Sequence, residues 1–458
     1  MSQTKRFLAV TVAAVTALGM VGACSKNADD AKPAADGQIK LVVDTFGDFG
    51  YKALVAQYQQ EHPNVKVELR SVQKLDDYKP KLTQYLAAGS GAGDVVALEE
   101  GILNEFKTQP QNFVNLLDQG AADLQGNFLP WKWELGRVGA DGPLIGLGTD
   151  VGGLAVCYRK DLFAKAKLPT DRDAVSKLWP TWEEFITTGK KFGAANTGAK
   201  GFVDSVTTSF SAMLSQAGDT NFYDKDNKLI ADSNPVVRQA WETSMKMVSE
   251  GVSAKVPTWS KDWEAGFKNG SFAVTMCPSW MLGIIKTNSG AANAGKWDVA
   301  SVPGGGGNWG GSWLAVPTQS KHPKEAYELA KFLTSPEGEV AAFKEAGPLP
   351  SSPKALDDPA FLALTNDYFS NAPVGKIFGT GAKALKPIVL GPKHQAVKER
   401  AFEPALQAVE QGKLTPDKAW QQAQKSAVKE ADVGYFSINE TALRRSQLPE
   451  KVYDRVLR

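Results

Sequence analysis

Residues 39–98 read IKLVVDTFGDFGYKALVAQYQQEHPNVKVELRSVQKLDDYKPKLTQYLAAGSGAGDVVAL, and this stretch decides the fold. Ile39 to Phe46 is β-rich. Leu54, Val55 and Tyr58 then fall at helical spacing, and Pro63 ends that run. Val65, Val67 and Leu69 alternate as a second strand. Tyr78 to Ala88 reads as a helix with Leu82, Tyr85 and Leu86 on one face. After the loop Gly89 to Gly93, Asp94 to Leu98 is a short buried strand. The order β-α-β-α-β predicts an α/β layer on a largely parallel sheet.

Further along, Leu144 to Leu147 and Leu154 to Tyr158 read as strands around Gly148-Thr149-Asp150-Val151-Gly152-Gly153. Thr181-x-x-Glu184 predicts a capping box, and Asn234-Pro235 opens another helix. Phe272 to Met276, Trp297 to Val302 and Trp313 to Val316 are strand-like, with the glycine-rich run Gly304 to Gly311 before the last. Helices dominate afterwards, including one expected over Gln395 to Gln411. The chain of 458 residues allows two or three domains, or two lobes threaded by one chain.

The N-terminus reads as an address. Lys5 and Arg6 precede the uncharged run Phe7 to Val21, which is about the length of a signal-peptide core. Gly22-Ala23-Cys24 follows and resembles the bacterial lipoprotein signal; the resemblance implies that Cys24 is lipidated and becomes the mature N-terminus. A plain secretory signal with an incidental Cys24 is the alternative. Removing residues 1–23 leaves 50 basic and 50 acidic residues, so no net field steers a charged ligand, and nothing points to nucleic acid. Ser25 to Gly37 reads as a flexible tether reaching at most about 45 Å.

Catalytic signatures are missing. There is no His-Glu-x-x-His, no Gly-x-Ser-x-Gly and no Gly-x4-Gly-Lys-Ser/Thr. His62, His322 and His394 are far apart and each near a proline or loop, so surface positions are expected for all three. No metal site and no cofactor is expected. Cys157 and Cys277 sit in apolar strand-like runs; an exported chain can pair them, and two buried free thiols is the simpler reading.

The tryptophan count of 12 is the informative departure. Trp131, Trp133, Trp259, Trp280, Trp309 and Trp313 fall in loops or at strand ends, whereas Trp182 and Trp241 read as core. An indole face suits the apolar C–H face of a pyranose, whose hydroxyls then need carboxylate, amide or backbone partners. In open α/β sheets such groups gather beyond the carboxyl ends of strands. The ends here supply Phe46-Gly47-Asp48, Glu99-Glu100 and Asp150.

Taken in order, these segments resemble the family 1 extracellular solute-binding proteins of bacterial sugar importers, relatives of the maltose-binding protein. The resemblance is carried by the signal at Cys24, Gly93-Asp94-Val95 and Leu154-Ala-Val-Cys-Tyr-Arg-Lys-Asp-Leu-Phe163. Pro180-Thr-Trp-Glu-Glu-Phe185, the run from Phe267 through Met276 to Trp280, and Ala326-Tyr-Glu-Leu-Ala-Lys-Phe-Leu333 add to it. Arg159 departs from the family's usual Asn, and the tail runs past the usual end. The resemblance implies a two-lobed periplasmic-binding-protein-like α/β fold, each lobe a central sheet flanked by helices. Two or three hinge crossings are expected near Asp150–Gly153, Gly304–Gly311 and Gly347–Pro350. The implied division is signal 1–23, tether 24–37, lobe 1 at 38–150 and 310–346, lobe 2 at 151–309 and 347–435, and an extension at 436–458.

By the same resemblance Trp280 stacks on a sugar, and Glu99 and Glu100 bind hydroxyls. Gly304 to Trp313 is similar to a stretch of actinobacterial cello-oligosaccharide binders, which implies cellobiose or cellotriose and adds Asn308, Trp309, Ser312 and Trp313 to the ligand set. The expected ligand-binding residues are therefore Phe46, Asp48, Glu99, Glu100, Asp150, Trp280, Asn308, Trp309, Ser312 and Trp313. The implied partners are an oligosaccharide, the permease subunits of an ABC transporter and, through Cys24, the outer face of the cell membrane, with the protein a monomer. No reaction is expected. An exported glycoside hydrolase, or a binder of an amino sugar or polyamine, are the competing readings.

Overall fold

The structure, a computed structural model, describes residues 37–432 apart from positions 219, 384, 386 and 389. The expected signal, Cys24 and the extension at 436–458 lie outside the described residues. Ile39–Phe46 forms β1, Lys52–Glu61 α1, Val65–Val72 β2, Leu75–Ala88 α2, Val95–Glu99 β3 and Glu100–Phe106 α3. β1 runs parallel to both β2 and β3, with Ile39 opposite Val65 and Val43 opposite Val95. α1 buries Leu54, Val55 and Tyr58, the residues its spacing marked. On α2 the inner face is Tyr78, Leu82 and Leu86, and Tyr85 is half-buried.

The remaining strands are β4 (Leu147–Gly148), β5 (Asp150–Val151), β6 (Leu154–Arg159), β7 (Gly201–Val203), β8 (Phe272–Pro278), β9 (Trp297–Ala300), β10 (Ser312–Ala315) and β11 (Leu349–Pro350). They sort into two main sheets. The first has the order β2-β1-β3-β10-β4, with β10 antiparallel to its neighbours; the second has the order β7-β8-β6-β9. The strand expected from Leu144 is shorter: only Leu147 and Gly148 pair with β10, and Leu144 bridges to Arg137 instead.

Apart from the largely exposed edge strand β2, each sheet is covered on both faces, and alternation sends successive residues to opposite cores. In the first, Leu41, Val43, Val95, Ala97 and Leu314 face one core, while Val96, Leu98, Trp313 and Ala315 face the other. In the second, Val156, Tyr158, Val274 and Met276 face one side, and Ala155, Cys157, Cys277 and Val299 the other. This two-lobed α/β arrangement is the expected fold class.

Cys157 and Cys277 form a disulfide, which corrects the reading as free thiols. They lie on the same face of the neighbouring antiparallel strands β6 and β8, with Cα atoms 5.5 Å apart. That proximity is made by strand pairing across 120 residues of chain and has no local sequence signal.

The helix expected over Gln395 to Gln411 is broken. His394–Val397 is α-helical, Lys398–Phe402 is a π-helical turn, and Glu403–Glu410 is α-helical again. Pro404 lacks the N–H that would donate to the preceding turn, and the wider turn absorbs that loss.

Candidate functional site between the sheets

The chain passes between the two sheets in a small knot of backbone. β5 pairs antiparallel with β11, Val151 facing Leu349 and Asp150 facing Pro350. Gly153 bridges to Asn308, and Trp309 N donates to Gly152 O at 2.8 Å. A Cβ on Gly152 would stand 1.9 Å from Trp309 O, so no larger residue fits there. Gly311, at φ +112, lets its carbonyl accept from Glu100 N at 2.9 Å.

A cavity of about 70 Å³ opens beside this knot. Glu99, Glu100 and Trp131 wall it from the first sheet's side, Ser211, Ser215, Asn221, His394, Gln395 and Lys398 from the second, and Asn308 and Trp309 from the crossing. A larger depression of about 440 Å³ lies around Tyr58, Phe128, Phe332 and Lys354. Apart from Lys354 its lining residues come from the first lobe's side, and it gathers no indole and no buried carboxylate pair.

The two glutamates end β3 and begin α3. Glu99 Oε2 caps that helix by accepting from Gly101 N at 2.7 Å. Glu100 Oε2 accepts from Asn308 Nδ2 at 2.6 Å, and Asn308 Oδ1 accepts from Gly152 N at 2.7 Å. Burial pushes the Glu99 carboxyl up to about 7 against the opposing pull of Lys398. Burial likewise pushes Glu100 up to about 8, against the pull of Lys132. Lys132 is itself buried, and burial pushes its ammonium down to about 8 although Asp150 and Glu100 pull the other way.

The aromatic side is a cluster. Trp259 and Trp280 lie nearly parallel, 6.3 Å apart at 15°, and Trp309 meets Trp280 edge-on at 5.4 Å. Trp280 Nε1 donates to Trp309 O at 3.2 Å. Trp259 is 39% exposed and has a left-handed backbone, φ 67. Lys74, just before α2, donates to its carbonyl at 3.0 Å, so the two lobes touch there.

The expected site residues divide. Glu99, Glu100, Asn308 and Trp309 line the cavity, and Trp280 stands in the adjoining cluster. Trp313 is a correction: it is fully buried in central strand β10, with Nε1 donating to Lys132 O and the Lys132 ammonium 3.3 Å from its ring centre. It has no free face for a sugar. Asp150 is buried, and its Oδ1 accepts from Ser312 N at 2.8 Å; Ser312 is buried with it. Both are internal to the crossing. Phe46 packs on Phe49 and Tyr78, and Asp48 accepts from Gly50 N at 2.9 Å in an exposed turn; neither lines the cavity. His394 is a second correction, being buried where a surface position was expected. Lys398 and Gln395 were missed because, with His394, they lie far along the chain from the glutamates and tryptophans that meet them at the cavity.

The cavity thus lies between two α/β lobes, walled by indoles and carboxylates and adjoining a hydrogen-bonded crossing. The family described as "Bacterial extracellular solute-binding protein" matches residues 53–367. This chain belongs to that family. The solved structure described as "Extracellular solute-binding protein family 1" is 40% identical, covers 86% of this binding protein and 100% of its own chain, and superposes with a TM-score of 0.77. The arabinooligosaccharide-binding protein of Bacillus subtilis (strain 168) is 25% identical over 339 residues, 69% of this chain and 73% of that one. The transporter-associated binding protein of B. animalis subsp. lactis Bl-04, solved with β-1,6-galactobiose, is 23% identical over 86% of this chain and 98% of that one, TM-score 0.73. At that identity the last likeness carries the fold of this binding protein and nothing finer.

Proposed function

We propose that this binding protein captures a short neutral oligosaccharide between its lobes and delivers it unchanged to the permease of an ABC transporter. The observation that carries this reading is the convergence of Glu99, Glu100, Asn308, Trp131 and Trp309 on one interlobe cavity, next to Trp259 and Trp280. Indole faces take the C–H face of a pyranose, and carboxylate and amide groups take its hydroxyls. The relative named for arabinooligosaccharides agrees with a sugar of this size. Cellobiose and cellotriose are the first candidates, from the likeness of Gly304 to Trp313 to cello-oligosaccharide binders.

Closure supplies the signal. A ligand that touches Glu99–Glu100 on one side and the opposite wall on the other gains its full contact only when the lobes approach, and that difference shifts the population. Bending belongs to the crossings at β5, β11 and Gly304–Gly311. Catalysis does not fit: Glu99 and Glu100 are neighbours at one strand end, already accepting from Gly101 N and Asn308, whereas a hydrolase needs two carboxyls flanking the bond. Lipidation at Cys24 would hold the monomer outside the membrane on its tether.

Calorimetric titration of the full chain against cello-, arabino- and galacto-oligosaccharides and against polyamines tests the reading. Saccharide binding with no product after prolonged incubation supports it. Binding of polyamines alone, or release of monosaccharide, overturns it.

A further inference from the structure

His394 stands out among the cavity walls. It is 7% exposed, its ring lies 5.1 Å from that of Phe222, and its Nδ1 is buried with no hydrogen-bond partner among the described residues. Six buried side-chain polar atoms share that condition among the described residues: Ser209 Oγ, Tyr223 OH, Ser279 Oγ, Ser289 Oγ, Trp297 Nε1 and His394 Nδ1. Only His394 belongs to a residue that lines the interlobe cavity. Buried polar atoms are almost always paired, so the unpaired Nδ1 of a residue that lines the cavity is open to a partner brought in by a ligand.

We infer that His394 is a ligand-contacting residue of the cleft, its Nδ1 pairing with a hydroxyl of a neutral saccharide that also meets Glu99 or Glu100. The inference rests on the saccharide reading above and names a contact and a ligand charge within it. Burial, with Lys398 on the next turn, pushes the imidazole down to about 3, so the ring is uncharged at neutral pH. An uncharged imidazole presents Nδ1 as acceptor or donor according to its tautomer, and a hydroxyl serves either. The surrounding charges select the ligand. Lys398 lines the same wall and repels an ammonium, while Glu99 and Glu100 across the cavity, raised to about 7 and 8 by burial, offer hydrogen-bonding carboxyls with no full counter-charge for it. A neutral hydroxyl needs none.

The test uses the full chain, its tightest-binding oligosaccharide from the panel, and two variants. His394→Phe keeps a ring against Phe222 and removes Nδ1; His394→Asn places an amide atom near the Nδ1 position. The expected result is a tenfold or greater loss of affinity in His394→Phe, partial recovery in His394→Asn, and an imidazole nitrogen NMR shift in the unmodified protein when saccharide is added. Equal affinity of His394→Phe and the parent, or no nitrogen shift, overturns the contact and leaves the saccharide reading standing. Equal losses in both variants, accompanied by a lowered Tm, assign His394 to packing and overturn it too. A parent protein that binds no saccharide overturns the saccharide reading and this inference together.

Discussion

Asn308 joins a cavity acid to the interlobe crossing: its Nδ2 donates to Glu100 Oε2 at 2.6 Å while its Oδ1 accepts from Gly152 N at 2.7 Å. One amide therefore sets the aim of the carboxylate and the spacing of two chain segments that pass between the sheets. It also donates to Gly310 O at 2.9 Å, so its rotamer is fixed from three directions. A hydrogen bond contributes about 0.5–1.5 kcal/mol, and truncation of Asn308 removes three at once. Asn308→Ala should weaken saccharide binding by about ten- to a hundredfold. Calorimetry reads that loss, and unchanged affinity would remove Asn308 from the binding machinery.

Trp280 and Trp313 should separate cleanly. Trp280 is half-buried in the cluster with Trp259 and Trp309, so Trp280→Ala should lower affinity by about 1–3 kcal/mol and leave Tm nearly unchanged. Trp313 is inside the first lobe and covers the buried Lys132 ammonium. Trp313→Ala should cost roughly 3–5 kcal/mol of stability from the cavity it leaves. Urea unfolding and titration of the same two variants check both halves. A stable Trp313→Ala protein with weakened binding would reverse the assignment.

Trp313 is ambiguous in the sequence. It follows a glycine run and precedes Leu314 and Ala315, a pattern shared by a loop-edge indole and by a strand buried on both faces. Only packing decides, and the face of β10 that carries Trp313 is covered by the core of Leu98, Ile102 and Ile145 and by Lys132. The first β-α-β-α-β unit was legible because its signals are local: Leu54, Val55 and Tyr58 are one turn apart and all are buried. Glu99 and Glu100 were legible by the strand-end rule, since β3 ends at the cavity. His394 was not: its proline- and glycine-rich neighbourhood reads as surface, and the ring that covers it, Phe222, is 172 positions away. The disulfide was illegible for the same reason.

The disulfide lies away from the cavity and so bears on stability alone. Cys157–Cys277 closes a segment 120 residues long on adjacent strands of the second sheet. Cross-linking a loop of this length restricts the unfolded chain by roughly 4–5 kcal/mol. The double variant Cys157→Ala, Cys277→Ala should lower the urea midpoint while retaining saccharide affinity, because neither cysteine lines the cavity. Chemical denaturation with and without reductant on the parent protein is the companion measurement. A midpoint indifferent to both treatments would deny the bond a stabilising role.

The acids of the cavity tie stability to pH, and the sign follows from proton counting. Glu99 and Glu100 have an ordinary value of 4.5 when unfolded and are raised to about 7 and 8 in the folded protein, chiefly by burial. Between those limits the folded state holds more protons than the unfolded one, so stability falls as pH rises. The contribution is complete below pH 4.5 and is lost on passing upward through 7 to 8. Glu403, raised to about 7 by burial, acts in the same direction. Lys132, lowered to about 8, acts oppositely but only above its folded value, where the unfolded chain begins to hold the extra proton. Each group adds a slope of at most about 1.4 kcal/mol per pH unit. Glu100→Gln keeps an acceptor for Asn308 and has nothing to ionise, so its urea midpoint should fall less steeply than that of the parent between about pH 5 and 8. Glu403 still titrates in that variant, so the slope should flatten without vanishing. Equal slopes in parent and variant would place Glu100 in a hydrated, ordinary environment and take it out of the closed cavity.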